Sequence, residues 1–285
     1  MMRNVFARVS AALAGLAIAT LVAGEPAFAL KSLPQELKNA RIRVSYERSH
    51  GAERQERWLR KREFLERMRI YLAPLRLPQS LLLKAEDCED ENAYYQDRTS
   101  KIRLCYQYVE FLERIAPKKT VNGVSRDDVI IGGLASVMLH EAGHAAFDIF
   151  RIPVLGREED AADQMATLAA LDFGGDFAKS MIRGMAYVYK KYGPDPKGAQ
   201  SSDFADEHGT SSQRFYNSIC LAYGKDKGRF QDIVASSGMP PQRLANCENE
   251  YRQVEAAYRK TMLPFVDLTI MEKLRLHPGL LMEKD

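Results

Sequence analysis

The chain has 285 residues, 46% apolar and 28% charged, with only 12 prolines and 18 glycines, which excludes a disordered, collagen-like or low-complexity protein. That length suffices for one large domain or two small ones with a substantial buried core. A net charge of +3 is too small for the concentrated basic face of a nucleic-acid binder, so no nucleic-acid partner is expected.

The first 29 residues read as an export signal. Arg3 and Arg8 make a positive start, Val9 to Gly24 is uncharged and mostly apolar, and Ala27-Phe28-Ala29 is the small-x-small pattern of a cleavage site. The expectation is a signal peptide over 1–29 and a mature chain, 30–285, that folds as a single domain in the periplasm or outside the cell. Past the signal the longest uncharged apolar run, Val129 to Leu139, is about half of what a spanning helix needs, so no membrane span should remain. In an oxidising compartment the four cysteines are expected to form two disulfides. Proximity favours Cys88–Cys105 and Cys220–Cys247, each closing a loop worth about 3 kcal/mol in the chain-entropy model.

Alternation over Ile42 to Tyr46 predicts a short half-buried strand. From Ala52 to Leu72 the apolar residues Trp58, Leu65, Met68 and Leu72 fall on one helical stripe, supported by Glu/Arg pairs at i,i+4, and Pro74 and Pro78 end that helix. Ser80 to Ala85 reads as a second strand. Asn92 to Tyr95 and Lys101 to Tyr106 flank a turn-like stretch and read as a hairpin. Helices are expected over Gln107–Ile115, Arg126–Phe150 and about Glu158–Leu171, with further helical stretches at Met181–Lys191, Gln213–Tyr223 and Leu244–Lys260. Strands early and helices late make this an α+β chain, with an N-terminal α/β lobe over about 38–150 and a mostly helical lobe over about 151–265.

Within the long apolar helix sits His140-Glu141-Ala142-Gly143-His144, the pattern H-E-x-x-H. Residues four apart share a helix face, so both imidazoles can converge on one ion, and Glu141 projects beside it, placed to hold a bound water. A catalytic zinc takes three protein ligands and leaves one position open. After His144 the chain has room to finish its helix, turn at Pro153 and Gly156, and start an antiparallel neighbour at Glu158-Glu159-Asp160-Ala161-Ala162-Asp163. Glu159 and Asp163, at i,i+4, both look back. The first is the expected third ligand, with Glu158 the alternative, and the second is expected to hold a ligand imidazole through its other ring nitrogen. Acidic residues here would also suit the start of a helix on dipole grounds alone.

H-E-x-x-H followed by E-x-x-A-D resembles the signature of gluzincin metallopeptidases. The longer stretch from His140 to Asp163 closely resembles a bacterial family of domains of unknown function described as metallopeptidases. That resemblance takes in Asn92-Ala93-Tyr94-Tyr95, Leu104-Cys105-Tyr106, Asp206-Glu207-His208, Gln213 to Asn217 with Cys220, and Cys247 with Glu250-Tyr251, spanning about residues 38–265. It implies a zincin-like fold with a small sheet beside an active-site helix. It further implies one zinc ion held by His140, His144 and Glu159, and peptide hydrolysis with Glu141 as general base. The gap from His144 to Glu159 is shorter than in thermolysin-like enzymes. Asn92, Ala93 and Tyr94 are similar to the Asn-Ala-aromatic segment of the gluzincin edge strand, which pairs with extended substrate; an ordinary hairpin start is the other reading of these residues. His208, next to Glu207, is a candidate donor to the oxyanion, as are Tyr216 and Arg214. Asp148, at i+4 from His144, reads as helix surface. The functional expectation is an exported zinc-dependent metallopeptidase acting on peptide or protein substrates. The alternative is a zinc-holding but catalytically silent peptide-binding protein of the cell envelope.

Overall fold

The computed structural model describes residues 37, 39–192 and 200–276; the expected signal peptide and His277 lie outside them. The described chain begins with β1 (Ile42–Tyr46), two helices α1 (Glu53–Lys61) and α2 (Phe64–Tyr71), and then β2 (Leu81–Glu86). The single helix expected from Ala52 to Leu72 is broken. Arg62 ends α1, and Glu63 takes a left-handed conformation at φ 50° before α2 begins. In a straight helix six residues advance about 240°, so Leu59 and Leu65 would face different ways. The turn at Glu63 lets both be wholly buried, at 0% exposure.

The sheet continues with β3 (Ala93–Gln96) and β4 (Lys101–Cys105), in the order β1-β2-β4-β3. β1, β2 and β4 run parallel, and β3 pairs antiparallel with β4 through Ala93↔Leu104 and Tyr95↔Ile102, which is the expected hairpin. Its connection is one turn of 3-10 helix, Asp97–Thr99, closed by Ser100 in the left-handed region. Leu81, Leu83 and Ala85 on β2 and Ile102 and Leu104 on β4 are buried, the alternation expected of a packed sheet face.

The rest of the chain is helical. α3 (Tyr106–Ile115) precedes a π turn at Asp128–Gly132 that runs directly into α4 (Gly133–Phe150). Then come α5 (Glu158–Phe173), α6 (Gly175–Tyr192), α7 (Ser201–Ala205), α8 (Ser211–Lys225), α9 (Lys227–Ser237), α10 (Pro241–Thr261) and α11 (Leu268–Arg275). The molecule is thus of mixed α+β class, with a small four-stranded sheet and a helical C-terminal part. The segment Asp128–Phe150 is long and apolar enough to cross a membrane, but 89% of its most apolar window is buried inside the protein, so it serves as the core helix. α4 packs against β3, β4, α5 and α6.

Both cysteine pairs sit at disulfide distance, S–S 2.04 Å in each, as an oxidising compartment allows. Cys88–Cys105 ties the segment before β3 to the end of β4, and Cys220–Cys247 ties α8 to α10. Replacing Cys220 and Cys247 together by alanine should lower the free energy of unfolding by about 3–4 kcal/mol, since a bridge spanning 27 residues restricts the unfolded chain. Urea titration of the variant against the parent measures this; a change below about 1 kcal/mol would count against it.

Candidate metal centre

α4 is apolar on nearly every face, so its polar residues are set into a packed wall: His140 is 6% exposed and Glu141 7%. The helix stops at Arg151, left-handed at φ 52°, and the chain turns back through Pro153 and Gly156, whose φ of 96° suits a residue without a side chain. α5 then starts at Glu158 and runs alongside α4. The two helices touch at Gly143, where an added Cβ would lie 3.2 Å from the Ala162 Cα.

This crossing brings five predicted residues together. His140 Nε2 lies 3.0 Å from Glu159 Oε2 and 3.2 Å from His144 Nε2, and His144 Nε2 lies 3.4 Å from the same carboxylate oxygen. Each imidazole has a carboxylate behind it: His140 Nδ1–H donates to Asp163 Oδ1 at 2.9 Å, and His144 Nδ1–H to Glu158 Oε1 at 2.7 Å. Both acidic neighbours are therefore engaged. Glu159 faces the two inward nitrogens, and Glu158 orients an imidazole from outside.

His208 reaches the same point from the connection between α7 and α8. Its Nε2 lies 2.7 Å from Glu159 Oε2, and its Nδ1–H donates to Asp206 Oδ1 at 3.1 Å. Glu207, the neighbour singled out in the sequence, is not the residue holding it. Arg214, a candidate donor, turns instead to Asp163, with Nε 2.6 Å and Nη2 2.8 Å from its two oxygens, and its guanidinium lies over the Tyr189 ring at 4.6 Å. Tyr189 OH donates to Asp163 Oδ1 at 3.0 Å. The sequence carried no sign of this Arg214–Asp163–Tyr189 assembly beyond an arginine on a half-apolar helix. Asp148 accepts from Tyr95 OH at 2.6 Å, linking the end of α4 to β3. Tyr216 stacks edge-on against Phe215, 5.0 Å between ring centres.

The electrostatics follow from these contacts. Burial alone would lower the His140 imidazole, but the hydrogen bonds to Asp163 and Glu159 outweigh it and raise its pKa to about 9. His144 is raised for the same reason, burial opposing and Glu159 and Glu158 prevailing. Burial works against ionisation of Glu159 and Asp163 too, yet the three imidazoles hold Glu159, and Arg214 with His140 hold Asp163, well below the usual carboxylate range. Glu141 moves the other way. Burial raises its carboxyl, only partly countered by the nearby imidazoles and by a backbone hydrogen bond involving Tyr95 of β3.

A tetrahedral ion with ligand bonds of 2.0–2.1 Å has donor atoms about 3.3–3.4 Å apart. The triangle of His140 Nε2, His144 Nε2 and Glu159 Oε2, with sides of 3.0, 3.2 and 3.4 Å, is close to one face of such a polyhedron. Imidazole nitrogen with carboxylate oxygen is also a donor set zinc accepts, so the residues fit the metal. The site opens into a cleft of about 710 Å³, lined by Asn92, Ala93, Tyr94 and Tyr95 on one side and by His208 and Arg214 on the other.

A family model described as "Putative metallopeptidase" matches residues 46–263. Neither a curated protein nor a solved structure matches the chain.

Proposed function

From the premise that the chain belongs to this metallopeptidase family, we propose that it is an exported zinc metallopeptidase whose ligands are His140, His144 and Glu159. One observation carries the reading: three donor atoms from two adjacent helices converge at separations of 3.0 to 3.4 Å. Bound there, one zinc ion would supply Lewis-acid charge and lower the pKa of water at its open corner.

The chain's own residues do the rest. Asp163 and Glu158 hold the Nδ1–H groups of the two imidazoles, which keeps the Nε2 lone pairs turned inward. Glu141, buried and with its carboxyl raised, takes the proton of the attacking water and passes it to the leaving amine. His208 donates to the oxygen that becomes negative in the transition state. β3 lies at the end of the sheet, so the edge that carries Asn92, Ala93 and Tyr94 can take an extended peptide as an added strand. Residues 1–29 direct export, and 30–285 form the catalytic domain.

Elemental analysis and a cleavage assay test this together. The purified protein should hold one zinc per chain and fragment denatured casein, and a chelator should stop the cleavage. Glu159→Ala should lose stoichiometric zinc while Glu158→Ala retains it. Casein bound but not cut, with zinc present, would make the protein a silent peptide binder. Zinc lost from Glu158→Ala but kept by Glu159→Ala would reassign the third ligand.

A further inference from the structure

His208 is built into this centre in the same way as the two histidines of α4. All three imidazoles place Nδ1 on a carboxylate of their own (Asp163, Glu158 and Asp206) and all three turn Nε2 toward Glu159 Oε2, at 3.0, 3.4 and 2.7 Å for His140, His144 and His208. A carboxylate behind the outward nitrogen is how proteins fix a metal-ligating histidine. The donor atoms of His140, Glu159 and His208 lie within 4.8 Å of one another, and the rings of His140 and His208 stack with centres 6.1 Å apart.

The three histidines differ in how firmly they are held. The side chains of His140 and His144 are 7% and 14% exposed on one long helix, whereas that of His208 is 41% exposed, on a connection between helices. Asp206, the carboxylate behind its Nδ1, is itself 59% exposed two residues away. A zinc with four protein ligands is closed, and one with three keeps a working position.

We propose that His208 is a fourth, displaceable ligand, bound through Nε2 in the resting protein and released when substrate enters the cleft. This rests on the zinc reading above and adds the resting state of the same site. Ligation at rest and contact with the substrate oxygen are thus two positions of one side chain. The metal is thereby shielded until a peptide occupies the cleft.

X-ray absorption at the zinc edge tests the proposal on the full mature chain without any turnover. The wild-type protein should show three imidazoles on zinc, and His208→Ala two. A hydroxamate-capped peptide added to the wild type should bring the count from three to two. Zinc affinity, measured by chelator competition, should weaken in His208→Ala by at least about 10-fold, the least that losing a residue behind a ligand costs. Asp206→Asn, which keeps the imidazole, should fall between the two. Two imidazoles in resting wild type would overturn the proposal, whatever the zinc affinity of His208→Ala, and leave the peptidase reading standing. Absence of zinc from the wild type would overturn both. If His208→Ala does not fold, the wild-type counts with and without hydroxamate decide alone.

Discussion

Glu141→Gln should keep its zinc and lower kcat on a cleavable peptide by about 10²- to 10⁴-fold, the usual contribution of a positioned general base. The amide is nearly isosteric with the acid, so packing within α4 is preserved and the side chain remains 7% exposed in the same wall. What it loses is the carboxylate basicity that, in the proposed mechanism, takes the water's proton. Burial holds the Glu141 carboxyl above the ordinary range, closer to the pH at which a base both stays ionised and accepts a proton readily. Metal analysis and steady-state kinetics on the same preparation separate this from simple loss of the ion. A rate within tenfold of the parent, with zinc retained, would remove Glu141 from the chemistry.

The second large effect is expected at Arg214, which never touches the three inward donor atoms. Arg214→Met leaves the Asp163 carboxylate, 8% exposed, without the guanidinium that grips both its oxygens. Breaking a buried pair from one side costs about 3–5 kcal/mol, because the remaining charge is left in a poor solvent. Asp163 is also what holds His140 Nδ1, so zinc affinity should weaken about 10–100-fold as well. The double variant Arg214→Met/Asp163→Leu separates the two losses. Removing both charges should recover most of the stability, while zinc affinity should stay low because His140 has no anchor. Urea unfolding and chelator competition measure them; recovery of affinity in the double variant would refute the link from Arg214 to His140.

The parts of this molecule that could be read from its sequence are those that repeat over short distances. H-E-x-x-H is legible because four residues make about one helical turn. The hairpin of β3 and β4 is legible because its two runs flank a short polar stretch with a cysteine on either side. Glu159 and Glu158 were harder to separate. Adjacent residues on a helix point about 100° apart, and only the position of α5 against α4 decides which one faces inward. The break at Glu63 was hidden because the surrounding residues are good helix formers; it lets Leu59 and Leu65, which a straight helix would turn different ways, both enter one core. α9 and α11 have no marked bounds in the sequence for a related reason, each being anchored by only two or three buried side chains such as Phe230 and Met271. Nothing local connects Arg214 to Asp163, fifty-one positions earlier, and no spacing rule reaches that far.

The contact of Gly143 with Ala162 has a bearing on how this centre could change over evolutionary time. Gly143, the residue just before the second histidine, has no side chain, and the helix that brings the acid rests directly on it. One methyl group added there would act as a shim, pushing the acid-bearing helix back from the histidine pair by a few tenths of an ångström. A shift of that size is a tenth or so of a zinc–ligand bond. On the zinc reading proposed above, ion grip could therefore be tuned, or lost, by the smallest substitution available, with His140, His144 and Glu159 all unchanged.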